Sequence, residues 1–71
     1  MNINTIKREI ENNIGKTVQI TVYGLRNKKE TYNGKINTAY PNIFSIKMSL
    51  GDKTFSYADV AIGDVKIKYL N

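Results

Sequence analysis

The sequence of 71 residues contains no cysteine, no histidine and no tryptophan, and it has a single proline. Without cysteine the chain can form no disulfide and offers no thiolate nucleophile. Without histidine it lacks the commonest general base and the commonest metal ligand. No apolar run approaches the ~20 residues that a membrane-spanning helix needs. These absences argue against an enzyme, a metal centre and a membrane protein.

The remaining side chains that could carry chemistry are serines and carboxylates. The serines have no histidine to activate them, and a hydroxyl needs an adjacent base before it can attack. Asp52 and Asp64 each follow a glycine, where aspartate is favoured in turns. The other acidic residues are scattered along the chain, whereas a metal site needs several convergent carboxylates. We therefore expect a non-enzymatic protein with no catalytic residues, no cofactor and no metal.

The charge of the chain is strongly positive. Eleven Lys and Arg residues against six Asp and Glu give a net charge of +5 and a pI of about 9.6. This balance favours an anionic partner, such as nucleic acid or an acidic protein surface, although a purely solubilising role would give the same count. The first residues carry no long apolar core of the kind found in secretory signals, so we expect a cytoplasmic protein.

Five short runs alternate apolar with polar residues, which predicts five half-buried strands. The runs are Val18/Ile20/Val22, Tyr32/Ile36/Tyr40, Phe44/Ile46/Met48/Leu50, Phe55/Tyr57 and Val65/Ile67/Tyr69. Five strands in so short a chain bury their apolar faces by curling around a shared centre. Ahead of them, Ile6, Ile10 and Ile14 lie four residues apart, which predicts a helix over residues 4–14 that docks on the open end of the sheet.

The predicted strands cover residues 16–23, 30–39, 43–50, 53–56 and 65–69, with a single helical turn over 57–60. Tight turns are expected at Pro41 and at Gly51-Asp52. Gly34 interrupts the second strand where a side chain would point inward, which indicates a bulge or a sharp bend.

This order of elements is typical of an all-β, small five-stranded SH3-like (Sm-like) barrel with one N-terminal α-helix. An OB-fold is less favoured, because it normally places a helix between its third and fourth strands. We expect one domain over residues 1–71, with the barrel over 16–70.

The best candidate surface is the basic segment between the first two strands and its surroundings. The candidate partner-binding residues are Lys16, Tyr23, Arg26, Lys28, Lys29 and Lys35. Such a cluster can neutralise phosphates or bind carboxylates, and it can equally be a solvated loop that keeps a sheet edge from pairing. Tyr23 falls on the outward parity beside the segment, so it is the aromatic residue that we would test for stacking on a base.

The other aromatic residues have structural interpretations. Core positions are expected for Tyr32, Phe44, Phe55 and Tyr69. Tyr40 and Tyr57 border turns, and they are expected to form hydrogen bonds through their hydroxyls, as half-buried tyrosines usually do.

Several segments together point to a family. They are Tyr-Pro-Asn-Ile-Phe at 40–44, Ser-Tyr-Ala-Asp-Val at 56–60 and Val-Lys-Ile at 65–67, after single glycines at 15, 24 and 34. In these segments the chain resembles the Veg family, small proteins of Gram-positive bacteria, over nearly its whole length. The resemblance implies an SH3-like barrel, no enzymatic activity and a regulatory role. It also implies stimulation of biofilm formation by opposing a transcriptional repressor.

Three hypotheses about binding follow. The first is a cytoplasmic regulatory adaptor that binds another macromolecule, with a protein such as a transcriptional regulator as the favoured partner. The second is a nucleic-acid-binding barrel that uses Arg26, Lys28 and Lys29 together with Tyr23. The third is a homodimer that forms through an open strand edge, such as residues 65–69. Phosphate binding weakens steeply as salt rises, which separates the second hypothesis from the first.

Overall fold

The computed structural model of the protein describes residues 2–24 and 28–70. Its elements are helix α1 (Ile3–Asn12), strands β1 (Thr17–Tyr23), β2 (Lys29–Ala39), β3 (Ile43–Met48) and β4 (Gly51–Ser56), helix α2 (Tyr57–Ile62) and strand β5 (Val65–Tyr69). The predicted N-terminal helix and the five predicted strands are therefore confirmed. The helix ends two residues earlier than expected, and the predicted helical turn before the last strand is a short helix.

The five strands form one antiparallel sheet in the order β4-β3-β2-β1-β5. The first four strands meander, and β5 returns to the free side of β1, so β4 and β5 are the two edges. In the part of the chain that the structure describes, these edges do not pair with each other. The fold is thus a mostly β, open sheet with two short helices, and closure into an SH3-like or Sm-like barrel stays a prediction.

Helix α1 begins at a side-chain cap and buries one narrow stripe. The Asn2 side chain accepts a hydrogen bond from the Asn4 backbone N–H at 2.8 Å, which satisfies a free donor of the first turn. Ile6 and Ile10 are buried, whereas Ile14 is 50% exposed. The expected burial of Ile14 is wrong because the helix stops at Asn12. Ile14 therefore lies beyond the turn that would carry it onto the stripe.

The core combines the helix stripe with one face of the sheet. Its buried members are Ile6, Ile10, Val18, Ile20, Ile36, Phe44, Ile46, Phe55, Tyr57 and Val65. Half-buried Tyr32 and Tyr69 pack against it. The alternation therefore predicts the inward side chains correctly in the middle of each strand.

The alternation fails at the strand ends, where Tyr40 is 46% exposed and Leu50 is 98% exposed. Tyr40 follows a register shift between Ile36 and Thr38, which breaks the two-residue parity of β2. Leu50 lies in the turn of the β3–β4 hairpin, because Met48 pairs with Gly51. The predicted turn at Gly51-Asp52 is accordingly wrong by two residues.

Tyr57, which follows β4, contacts the start of β3 through ring packing and a hydrogen bond. Its side chain is fully buried, its ring stacks on Phe44 with centroids 5.5 Å apart, and its hydroxyl donates to the Tyr40 carbonyl at 2.8 Å. Burial, with a smaller contribution from the Glu11 carboxylate, raises the pKa of Tyr57. The predicted hydroxyl bond is confirmed for Tyr57, while Tyr40 takes part through its backbone carbonyl.

Candidate functional site

The face of the sheet that points away from the core is polar and basic. Its side chains on β1, β2 and β5 are Thr17, Gln19, Thr21, Tyr23, Lys29, Thr31, Asn33, Lys35, Lys66 and Lys68. We call this set the outer face. It holds four lysines, one aromatic ring and no carboxylate, whereas the whole chain has six acidic residues. Positive charge is therefore concentrated on one surface, which is the electrostatic pattern of a site for an anionic partner.

Three side chains of the outer face meet at the end of β1. Tyr23 lies directly opposite Lys29 on β2, and on the other side the Lys66 Nζ lies 5.5 Å from the centroid of the Tyr23 ring. The Tyr23 side chain is 42% exposed. A lysine ammonium at this distance is attracted to the ring face. An accessible aromatic ring thus lies between cations from the two neighbouring strands.

A second row of charge follows β5. Lys66 lies opposite Thr21, and Lys68 lies opposite Gln19. Lys66 and Lys68 are two residues apart on the same strand, a separation of about 7 Å along the strand, which is within about one Debye length, ~8 Å at physiological salt. Their potentials add instead of being screened one by one. Lys47 on β3, opposite Lys35, extends the row of cations, and Asp52 on β4 is the first carboxylate beyond it.

The structure places four of the predicted binding residues on or beside this face. Tyr23 and Lys29 are paired across the two strands. Lys28 is exposed, and its backbone carbonyl accepts from the Gly24 N–H at 2.7 Å, which ties the ends of the basic segment together. Lys35 belongs to the same face but lies at the opposite end of β1, across from Thr17.

Two predicted residues are not assigned to the outer face. Lys16 precedes β1 on the parity of the buried side chains, and its carbonyl accepts from the Ile36 N–H at 3.1 Å. Arg26 lies outside the described residues.

Lys66 and Lys68 were missing from the residues predicted to bind a partner. Their alternation with Val65, Ile67 and Tyr69 shows from the sequence alone that they point outward. What the sequence does not show is that β5 pairs with β1, which joins residues more than 40 positions apart. That pairing brings both lysines to Tyr23 and its neighbours.

Tyr69 lies on the core side of β5, close to helix α1. Burial raises the pKa of Tyr69 to about 12, and the nearby Glu9 carboxylate contributes to the same shift. Because the folded state keeps this proton longer than the unfolded chain does, the stabilisation from Tyr69 is complete below pH 10 and is lost as the pH rises towards 12.

We therefore expect the free energy of unfolding to fall more steeply between pH 10 and pH 12 in the wild type than in Tyr69→Phe. The phenylalanine ring keeps most of the packing but has no proton to release. Urea unfolding at a series of alkaline pH values measures both profiles. Parallel profiles would show that Tyr69 is not held in its protonated form.

The described residues form neither a cluster of metal ligands nor a membrane-spanning helix. Among the described residues, no group of three or more acidic, histidine or cysteine side chains comes together as a metal site would need. Neither of the two helices in residues 2–24 and 28–70 is long and apolar enough to cross a membrane.

The chain is similar to a described protein family. No curated protein matches the chain. The family model described as "Biofilm formation stimulator VEG" matches residues 1–68 of the 71. The match runs from α1 into β5 and includes every residue of the outer face, and the description is that of a stimulator and not of an enzyme family. With the match covering nearly its whole length, the chain belongs to the Veg family of biofilm formation stimulators.

Proposed function

We propose that the protein is a non-enzymatic, cytoplasmic regulatory adaptor that stimulates biofilm formation by binding another macromolecule through its outer face. The observation that carries the proposal is the carboxylate-free row of lysines with the exposed Tyr23 among them. Membership of the Veg family supplies the biological role, and the outer face supplies a physical means of recognition.

The favoured partner is a protein with an acidic surface. Complementary charge steers association and suppresses wrong partners, while Tyr23 offers the rigid, amphipathic ring that often anchors protein interfaces. We propose that this partner is a transcriptional regulator. Occupying an acidic surface of a repressor would oppose its activity without any chemical reaction.

Nucleic acid is the second candidate, and one observation favours it specifically. The Tyr23 ring is accessible and has lysines on both sides, Lys29 opposite and Lys66 over the ring. Proteins that bind single strands combine a stacking ring with cations that follow the backbone. On this alternative the same residues would contact a base and its flanking phosphates.

The test is a charge reversal with a matched control. Lys29→Glu/Lys66→Glu reverses two charges of the outer face, and Lys7→Glu/Arg8→Glu makes the same change in net charge on helix α1. Wild type and each variant are used in turn as bait in a cell lysate. We expect the outer-face variant to capture at least ~10-fold less partner than wild type does, since each lost ion pair at an interface weakens binding. The α1 variant should capture as much as wild type.

Two further arms identify the partner. Nuclease treatment should leave a protein partner bound, whereas it removes a partner held through nucleic acid. Binding of a random-sequence single-stranded DNA, titrated against salt, should show a log–log slope of about −0.7 for each phosphate contacted if nucleic acid is the target. Equal capture by wild type and Lys29→Glu/Lys66→Glu would contradict a role for the outer face.

A further inference from the structure

A groove of about 270 Å³ lies on the other side of β5 from the outer face. Its lining comes from helix α1 with Ile6, Glu9 and Ile10, from β5 with residues that include Ile67 and Tyr69, and from Val60 of α2 and the following Gly63. Residues of both parities of β5 line the groove, since Lys66 also contributes to it. A cavity that touches both parities follows the edge of the strand and not only one face of the sheet.

Alternate residues of β5 form their backbone hydrogen bonds with β1. The Tyr23 N–H donates to the Asp64 carbonyl at 2.8 Å, and the Leu70 N–H donates to the Thr17 carbonyl at 3.0 Å. Both bonds belong to the register in which β1 and β5 face each other. Hydrogen-bonded pairs alternate along an antiparallel ladder, so the even-numbered residues of 64–70 direct their N–H and C=O groups towards β1.

The odd-numbered residues of β5 therefore direct their backbone groups to the free edge. Val65 is only 4% exposed, so its backbone groups are covered. Ile67 and Tyr69 present two N–H and two C=O groups there, because β5 is the last strand of the sheet. Within residues 2–24 and 28–70 no hydrogen bond is made to these groups. A strand edge of this kind is a template for the addition of another strand.

The side chains around the groove define what could occupy it. The walls are mostly apolar, and the Glu9 carboxylate lies beside Tyr69 at one end. Lys66 directs its ammonium group away, over the Tyr23 ring, so the charge that faces the groove is that of Glu9. A negative site in a chain of net charge +5 is complementary to a lysine or arginine on an apolar segment.

We propose that this groove binds an extended segment of a partner protein that adds to the sheet as a strand beside β5. Its backbone would pair with Ile67 and Tyr69, its apolar side chains would pack between α1 and β5, and a lysine or arginine would reach Glu9. Five residues of strand span about 17 Å, so the segment is about five to seven residues long.

The other open edge, β4 of a second copy, matches the groove poorly. Phe55 is buried in the core of its own chain, and the Lys53 Nζ lies 4.8 Å from the centroid of its own Tyr32 ring. Neither the apolar nor the basic side chain of that strand is free to enter a neighbouring groove. In a β5–β5 contact between two copies the odd-numbered residues would pair with each other, so Lys66 and Lys68 would lie opposite lysines of the other copy, and like charges directly opposite are destabilising. The segment proposed here is therefore one from a different protein.

The probe for the test is a displayed library of random linear peptides of about eight residues, selected on the full-length protein. We expect the selected peptides to alternate apolar with other residues and to carry a lysine or arginine. A peptide synthesised from the selection should lose binding when N-methyl groups replace the N–H groups on the paired side of its backbone. Methylation on the opposite side should leave its binding within about twofold, because those N–H groups would face solvent.

The proposed contact between Glu9 and a basic residue of the peptide is tested by exchanging the two charges. Glu9→Lys should weaken the basic peptide at least ~10-fold, which corresponds to one charge-assisted hydrogen bond, and a peptide with glutamate in place of its lysine should recover on that variant. Glu11→Lys makes the same charge change on α1 outside the groove and should leave the basic peptide unaffected, as should Lys29→Glu on the outer face. Amide hydrogen exchange should show new protection at residues 67 and 69 when the peptide binds.

Three results would overturn the proposal. They are a library that yields no binder sensitive to Glu9→Lys, a peptide whose binding survives N-methylation on both sides, and protection of residues 67 and 69 that rises with protein concentration in the absence of peptide. The last result would assign the edge to a second copy of the chain. Failure of the charge reversal on the outer face would leave these outcomes unchanged, because they are read from Glu9 and from the backbone of β5, neither of which that variant alters.

Discussion

Replacing Phe44 with alanine is expected to lower the free energy of unfolding by about 3–5 kcal/mol, the range for truncating a large aromatic residue in a core. Phe44 is fully buried on β3, an interior strand of the sheet. Its ring lies 5.8 Å from that of Phe55 and 5.5 Å from that of Tyr57, measured between centroids. The substitution therefore removes the ring that joins β3 to β4 and to α2.

The size of this loss matters because small domains are marginally stable. At about 0.05–0.15 kcal/mol per residue, a chain of 71 residues has roughly 4–10 kcal/mol to lose. Urea unfolding followed by circular dichroism measures the change. Ile43→Ala is the matched control, because Ile43 is the preceding residue of the same strand and is 38% exposed. Similar losses for both variants would contradict the inward orientation assigned to Phe44.

Replacing Gly34 with alanine is the second large effect, with an expected loss of about 1–3 kcal/mol, as for inserting an extra methyl group into a packed site. A Cβ atom at Gly34 would lie 2.6 Å from the Lys47 carbonyl oxygen and 2.6 Å from the Ile46 Cγ2. The first of these atoms belongs to the backbone and cannot rotate away. The loss is therefore expected at the upper end of that range.

Gly24→Ala is the control for the glycine substitution. The nearest atoms to a Cβ there are those of Lys28, at 3.6 and 3.7 Å, which is ordinary van der Waals contact. The variant should be unchanged or more stable by up to about 1 kcal/mol, since alanine restricts the unfolded chain. If Gly34→Ala proved as stable as Gly24→Ala, the close approach of β2 to β3 would be wrong.

Gly34 also shows which structural features a sequence pattern can predict and which it cannot. Its inward position in the second strand was predictable from the parity of Tyr32 and Ile36, and an irregularity was expected there. The register shift instead lies between Ile36 and Thr38. Gly34 is instead required because β3 approaches so closely that a side chain would not fit there. That contact depends on how the sheet bends in three dimensions.

The candidate site also has a part that the sequence predicts and a part that only the structure shows. Tyr23 and Lys29 are neighbours in the structure because a short connector joins their strands, so their pairing could be expected from the chain order. Lys66 and Lys68 reach Tyr23 only through the pairing of β5 with β1. The groove likewise needs α1 and β5, which are the first and last elements of the chain. Alternation predicts which way a side chain points, but not which distant strand lies beside it.

The two sides of β5 give the protein two separate surfaces. The lysines of the outer face suit an acidic partner, while Ile67 and Tyr69 offer free backbone groups beside an apolar groove that carries a negative charge. An adaptor needs two such surfaces if it is to bring one macromolecule to another. The variants Lys29→Glu and Glu9→Lys address them independently, because Lys29 lies only on the outer face and Glu9 only on the groove.

The most direct test of the outer face is biofilm formation in a host strain that lacks its own Veg-family protein. Wild type and Lys7→Glu/Arg8→Glu should restore the biofilm, and Lys29→Glu/Lys66→Glu should not, with all three proteins at equal abundance by immunoblot and equally folded by circular dichroism. A biofilm restored to the wild-type level by Lys29→Glu/Lys66→Glu would contradict the account, because the basic face would then have no part in the function.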